Sequence, residues 1–186
     1  MLKKKSSIFF LLFYFLIQNL FADEKTAIID KLKNMSNFSF SFEQKVNDKK
    51  ETGECILVFN NKLKCDYFDD KEKEVLVNGK TLVIIQKRYN KIYYYPLSKS
   101  LFSKILNKEY LINFIKEANI QLNSNINLFI ESENDQKIII SFSRKNYNLL
   151  GWKMKDGSQN LINFSLKIKN INKNYNNNIF LIPQID

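Results

Sequence analysis

Residues 38–44 read Phe38-Ser39-Phe40-Ser41-Phe42-Glu43-Gln44. Strict alternation of phenylalanine and serine has the two-residue period of a β-strand, so three large rings leave one face and the small hydroxyls leave the other. A strand with such a face needs a sheet around it and something apolar above it. Both are legible on either side. Around Asn60-Asn61, residues Cys55–Phe59 and Lys62–Tyr67 form the arms of a hairpin, because asparagine tolerates the positive φ that a tight turn requires. Asn78-Gly79 gives the same signal between Val75–Val77 and Thr81–Ile85. Further strands are expected at Lys91–Tyr95, Asn127–Ile130, Lys137–Phe142, Leu149–Met154 and Leu161–Ile171, with a turn at Asp156-Gly157.

Two segments carry the helical period instead. Ile28, Leu32 and Met35 recur at i, i+4 and i+7 within residues 24–35 and share one face of a short amphipathic helix. Between Pro96 and Ala118, Leu101, Phe102, Ile105 and Leu106, then Tyr110, Leu111, Phe114 and Ile115, predict two short helices joined near Asn107. Helices before and inside a long run of strands point to an α+β fold, a curved antiparallel sheet whose concave side the helices cover. The alternative is a closed barrel with the helices as loops.

The first twenty-two residues have the form of a secretory signal. Lys3, Lys4 and Lys5 are followed by an apolar run from Ile8 to Ile17, and Ala22 suits a cleavage point. The run is shorter than the roughly 20 residues a membrane span needs. The expected working chain is residues 23–186, a single domain outside the cytoplasm; the alternative is an uncleaved anchor. Glycine and proline number only 4 and 2, and neither a linker nor a repeat is visible. The formal charge of +10 comes from lysines spread along the chain. Dispersed lysines in an exported protein argue against nucleic acid as a partner.

The chain contains no histidine, which removes the commonest general base, the commonest metal ligand and every Ser-His or Cys-His nucleophile. Two cysteines cannot complete a structural zinc site, and no phosphate-cradling glycine loop is present. The acidic run Asp69-Asp70-Lys71-Glu72 sits between apolar stretches as a solvated turn. The expectation is a binding protein, not an enzyme, with no cofactor and no metal. Cys55 and Cys65 lie five residues to either side of Asn60 and can face each other across the hairpin. In an oxidising compartment they can bridge; the other reading is a pair of buried free thiols.

Taken together, the motifs resemble the LolA family of periplasmic carriers of outer-membrane lipoproteins. The Phe-Ser-Phe-Ser-Phe-Glu-Gln strand with Gly53 after it, Tyr67, Val77-Asn78-Gly79-Lys80-Thr81-Leu82, Tyr95-Pro96-Leu97 leading to Ile105-Leu106, Trp152 and Phe180-Leu181-Ile182-Pro183 are similar to stretches of that family in the same order. The resemblance implies a half-barrel whose concave face receives acyl chains through Phe40, Phe42, Leu57, Phe59, Leu63, Tyr67, Val83 and Ile85. It implies a lid carrying Ile28, Leu32, Phe102, Ile105 and Leu106. It also implies a monomer that takes acylated lipoproteins from an inner-membrane ABC exporter and delivers them to an outer-membrane receptor or, by transient contact, to the membrane itself. Where the family commonly has a basic residue followed by proline to hold the lid shut, this chain has Phe59-Asn60. Closure is therefore expected on apolar contacts between Phe59 and helix residues such as Phe102 or Ile105. An envelope sensor of the same half-barrel type and a generic periplasmic lipid binder are the rival readings.

Overall fold

The computed structural model describes residues 24–100, 102–131, 137–155 and 159–183. The signal segment 1–22, the turn expected at Asp156-Gly157 and the side chain of Phe102 lie outside the described residues. Eleven antiparallel strands form one open, curved sheet in the order β6-β5-β4-β3-β2-β1-β11-β10-β9-β8-β7. The strands are β1 Asn37–Val46, β2 Lys49–Val58, β3 Lys62–Tyr67, β4 Lys73–Asn78, β5 Thr81–Gln86, β6 Lys91–Pro96, β7 Asn119–Leu122, β8 Asn125–Glu131, β9 Lys137–Ser143, β10 Leu149–Lys155 and β11 Leu161–Ile171. Two meanders, β1 to β6 and β7 to β11, thus meet where β1 pairs with β11. That seam runs from Phe38 opposite Ile171 to Val46 opposite Ile162, with one register shift between Ser39 and Phe40. The sheet is open, so the closed-barrel alternative falls away.

Helix α1 covers residues 24–33, α2 Phe102–Ile105 and α3 Lys108–Glu117. Asn107 caps α3 by accepting a hydrogen bond from the Tyr110 N–H at 2.9 Å, the usual role of asparagine before a first turn. The helical segment bridges the two outer strands, β6 and β7, and with α1 it lies on the concave side of the sheet. Ile28, Leu32, Ile105, Leu106, Leu111, Phe114 and Ile115 are buried there in one cluster with Phe38, Phe40, Phe42, Leu57, Ile126, Leu128, Phe142, Trp152 and Phe164. Each such side chain contributes about 1.5–3 kcal/mol by leaving water.

Turn chemistry follows the sequence. Asn60 and Asn61 adopt φ of 70° and 71°, and Gly79 has φ of 62°. Gly53 is required for a different reason. It lies between Phe42 and Tyr67 in the register, and a Cβ there would collide with the Asp66 carbonyl oxygen and the Phe42 ring.

Cys55 and Cys65 are direct partners across β2 and β3 and are joined by a disulfide, with Cα atoms 4.1 Å apart. The Phe68 N–H donates to the Thr52 carbonyl, and the two-residue alternation from that bond puts the cysteines in a pair without backbone hydrogen bonds, where strands approach most closely. The sequence separation is 10 residues, which in the chain-entropy account stabilises by about 2–3 kcal/mol. Alkylation without reductant is expected to add no mass to the folded protein, and reduction is expected to lower its melting temperature. Two alkylated thiols in the folded protein would show that the bridge does not form.

Candidate functional site

The pairing register assigns every strand residue to a face. Phe38, Phe40 and Phe42 oppose Leu57, Cys55 and Gly53; Leu57, Cys55 and Gly53 oppose Leu63, Cys65 and Tyr67; Leu63 and Cys65 oppose Val77 and Val75. Directly opposed residues share a face, so all of these point to the concave side. The same holds beyond the seam, through Phe164 and Leu166, Trp152 and Met154, Ile140 and Phe142, and Ile126 and Leu128.

Val83 and Ile85 break the expected pattern. Val77 pairs with Leu82 and Val75 with Ile84, whereas Leu76 pairs with Val83 and Glu74 with Ile85. Odd residues face the concavity in β4 and even ones in β5, so Leu82 and Ile84 take the inner positions. Val83 and Ile85 point to the convex side. Val83 is buried there, with 0% exposure, on the face where the 3-10 turn Asn177–Phe180 of the C-terminal tail packs on β3 and β4 and buries Phe180. The Lys62 ammonium holds the Asn177 side chain at 3.0 Å and the Tyr94 hydroxyl donates to the Pro183 carbonyl at 2.7 Å.

Rings run across the concave floor in a ladder. Trp152 stacks on Phe164 at 4.2 Å, Phe164 on Phe42 at 5.1 Å, and Phe42 meets Tyr67 edge-on at 4.9 Å over Gly53. The ladder ends in a cation: the Lys73 ammonium sits 3.7 Å from the centre of the Tyr67 ring and 2.9 Å from Glu51. Burial pushes the Glu51 carboxyl up, but hydrogen bonds from Lys73 and Lys49 outweigh it and hold the group below the usual carboxylate range. Burial raises the Tyr67 hydroxyl, and the Glu51 and Asp69 carboxylates add to the effect. Tyr67 therefore stays neutral.

Between this ion pair and the start of the helical segment an apolar cleft of about 350 Å3 opens, walled by Tyr67, Val75, Leu82, Ile84, Tyr95 and Pro96, with Gln44, Glu51, Lys73, Lys99 and Ser100 at its rim. At the other end of the sheet the lid is shut down tightly. Ile105, Tyr110 and Phe114 against Ile138, Ile140, Trp152 and Met154 leave only about 10 Å3.

Polar contacts tie the lid down at several points. Lys25 of α1 donates to the carbonyls of Lys116 and Ala118 at the end of α3, at 3.0 and 2.6 Å, where a cation also offsets the helix dipole. Lys31 donates to the Asn146 carbonyl. At the rim, the Phe59 ring packs on Phe38 and lies 5.0 Å beneath the Lys108 ammonium at the start of α3. Lys108 also donates to the Lys33 carbonyl of α1 at 3.4 Å. The ring thus lies on the sheet as expected, and the charge above it on the lid, Lys108, is a contact that purely apolar closure did not include.

Of the residues singled out from the sequence, Phe40, Phe42, Leu57, Leu63 and Tyr67 share the concave floor, Phe59 sits at its rim, and Ile28, Leu32, Ile105 and Leu106 close it from above. Only Tyr67 reaches the open cleft. Val75, Leu82, Ile84 and Tyr95 were not singled out. Their signal was available in the short Gly79-Lys80 connection, which reverses parity between the two arms. Among the described residues no cluster of three or more His, Cys, Asp or Glu could hold a metal ion.

An open, curved antiparallel sheet whose apolar face is covered by its own helices defines the half-barrel fold class. The chain belongs to the LolA family: the profile described as outer membrane lipoprotein carrier protein LolA matches residues 33–183. The fold is similar to that of an uncharacterized conserved protein from Thermus thermophilus, at 7% identity and a TM-score of 0.55, over 88% of this chain and 94% of that one. It is also similar to the lipoprotein LppX of Mycobacterium tuberculosis, at 12% identity and a TM-score of 0.50, over 85% and 98%. A LolA superfamily protein from Nitrosomonas europaea aligns at 13% identity and a TM-score of 0.41, over 84% and 97%. A search of curated proteins found no match.

Proposed function

We propose that this protein is a periplasmic carrier that takes up the acyl chains of lipoproteins on its concave face and moves them from the inner to the outer membrane. The observation that carries the reading is the apolar face that spans both meanders and is covered by α1 and the helical segment. Cargo can replace the helices on the sheet, and the helices satisfy the sheet when cargo leaves. The energy scale is suitable: each exposed CH₂ costs about 0.8 kcal/mol, so one long acyl chain in water costs on the order of 10 kcal/mol. An interior that is already closed supplies a competing lid to drive release. An inner-membrane ABC exporter would load the carrier, and an outer-membrane receptor or transient contact with the membrane would unload it.

The test is to mix purified protein with an acylated lipoprotein and remove detergent. Co-elution of the two, abolished when the lipoprotein lacks its acyl chains, is the expected result. Equal binding of the non-acylated form would favour the sensor reading, and capture of free lipid alone would favour a generic lipid binder.

A further inference from the structure

The outer strand β6 has a composition unlike the other edge. Between Glu74 and Glu109 the chain carries no acidic residue and seven basic ones: Lys80, Lys87, Arg88, Lys91, Lys99, Lys104 and Lys108. Four are engaged within the protein. Lys87 pairs with Glu74 at 2.7 Å, Arg88 donates to the Asp70 carbonyl, Lys104 lies over the Tyr110 ring and Lys108 over Phe59. Lys80, Lys91 and Lys99 have no partner among the described residues. Lys91 begins β6, Lys99 follows its end by three residues, and Lys80 precedes the strand it pairs with.

Between those cations stand Ile92, Tyr93, Tyr94 and Tyr95, four uncharged residues of high strand propensity. Ile92, Tyr93 and Tyr95 are 36%, 38% and 45% exposed. The Leu97 N–H donates to the Lys80 carbonyl, and Thr81 opposes Pro96 in the register. Two-residue alternation from that bond directs the backbone groups of Tyr95, Tyr93 and Lys91 toward β5. Those of Ile92 and Tyr94 therefore face outward, two donors and two acceptors in a row at the end of the sheet. Lys91 and Pro96 are devices that natural sheets use to blunt an edge, but Lys91 turns its backbone groups toward β5 and Pro96 removes an outward donor only at the end of the strand. The opposite edge, β7, is only Asn119–Leu122, with Asn119 and Gln121 exposed.

We propose that β6 is a docking edge for an extended acidic segment of a protein partner, which adds to the sheet as a further strand. Main-chain bonds to Ile92 and Tyr94 would provide the alignment, Tyr93 and Tyr95 would contact alternate side chains, and Lys80, Lys91 and Lys99 would select acidic residues. Charge complementarity names the occupant: a second copy of β6 would bring the same cations together. Tyr95 and Lys99 also line the apolar cleft, but the outward main-chain groups of Ile92 and Tyr94 do not, so the proposal stands whether or not the protein carries acyl chains.

The probe is a short fluorescent peptide of alternating glutamate and valine, compared by anisotropy with a lysine–valine peptide. The wild-type protein is expected to bind the acidic peptide, more weakly as salt is raised. The Lys91→Glu/Lys99→Glu double variant should weaken that binding by about tenfold or more and improve binding of the basic peptide. Ile92→Pro should weaken both. Its N–H points away from β5, so proline removes an outward donor and leaves the ladder bonds of β6 intact. Circular dichroism and thermal melting confirm that each variant remains folded. Failure of the wild type to bind the acidic peptide, or undiminished binding by either folded variant, would overturn the proposal. So would a dimer of the wild type that Ile92→Pro dissolves, because the edge would then serve a second copy of this chain.

Discussion

Binding of an acyl-chain probe is expected to fall by about tenfold or more in Ile84→Lys and to stay within twofold of wild type in Ile85→Lys, although the two positions are neighbours. Ile84 lies opposite Val75 and Tyr93 and walls the apolar cleft. An ammonium there is stranded among apolar groups that offer no carboxylate in direct opposition. Ile85 projects from the other face, opposite Glu74, so the same substitution gains an anionic neighbour and leaves the cleft untouched. Fluorescence of a bound fatty-acid analogue measures both variants, with melting temperature as the check on folding. Equal loss in both would refute the assignment of faces in β5.

Phe164→Ala is expected to cost about 3–5 kcal/mol of stability, the range for removing a large ring from a packed interior. Phe164 is 2% exposed and lies between Trp152 and Phe42, with Phe40 edge-on at 6.4 Å. Its removal interrupts the ring ladder where the two meanders join, so no single neighbour can fill the gap. Chemical denaturation at constant slope reads the loss directly. A change below about 1 kcal/mol would mean that the concave floor is plastic enough to collapse around the missing ring. That result would also bear on release, since a floor that closes over a small cavity is suited to cargo of varied shape.

Much of the chain is legible one residue at a time. Phe38, Phe40 and Phe42 alternate because the sheet they lie in is apolar on one face and wet on the other, and the structure extends that strand to Val46 and its partner back to Lys49. Apart from Val46 and Gly53, those added residues are polar, and they carry no period, so only their pairing reveals them. The helix expected over 24–35 spans 24–33, with Met35 still buried just beyond it. β7 went unread because Asn119–Leu122 is four residues of mixed character behind a helix, too short for either period to register. On the lid, the sequence pointed to Phe59 and the structure supplies Lys108 above it, a contact between residues 49 positions apart that no local pattern contains.

The sequence by itself determined the α+β class, the hairpins at Asn60-Asn61 and Asn78-Gly79, the amphipathic helices and the facing cysteines, because each is a local consequence of side-chain period or turn chemistry. Only the tertiary structure decided which face each residue of Leu82-Val83-Ile84-Ile85 presents. All four are apolar, and the run has no alternation to read, since the concavity takes Leu82 and Ile84 while Val83 is buried on the opposite side. The seam between β1 and β11 is likewise a long-range pairing that joins Phe42 to Leu166. Its reward, a ring ladder shared by both meanders, exists only once the two ends of the chain have come together.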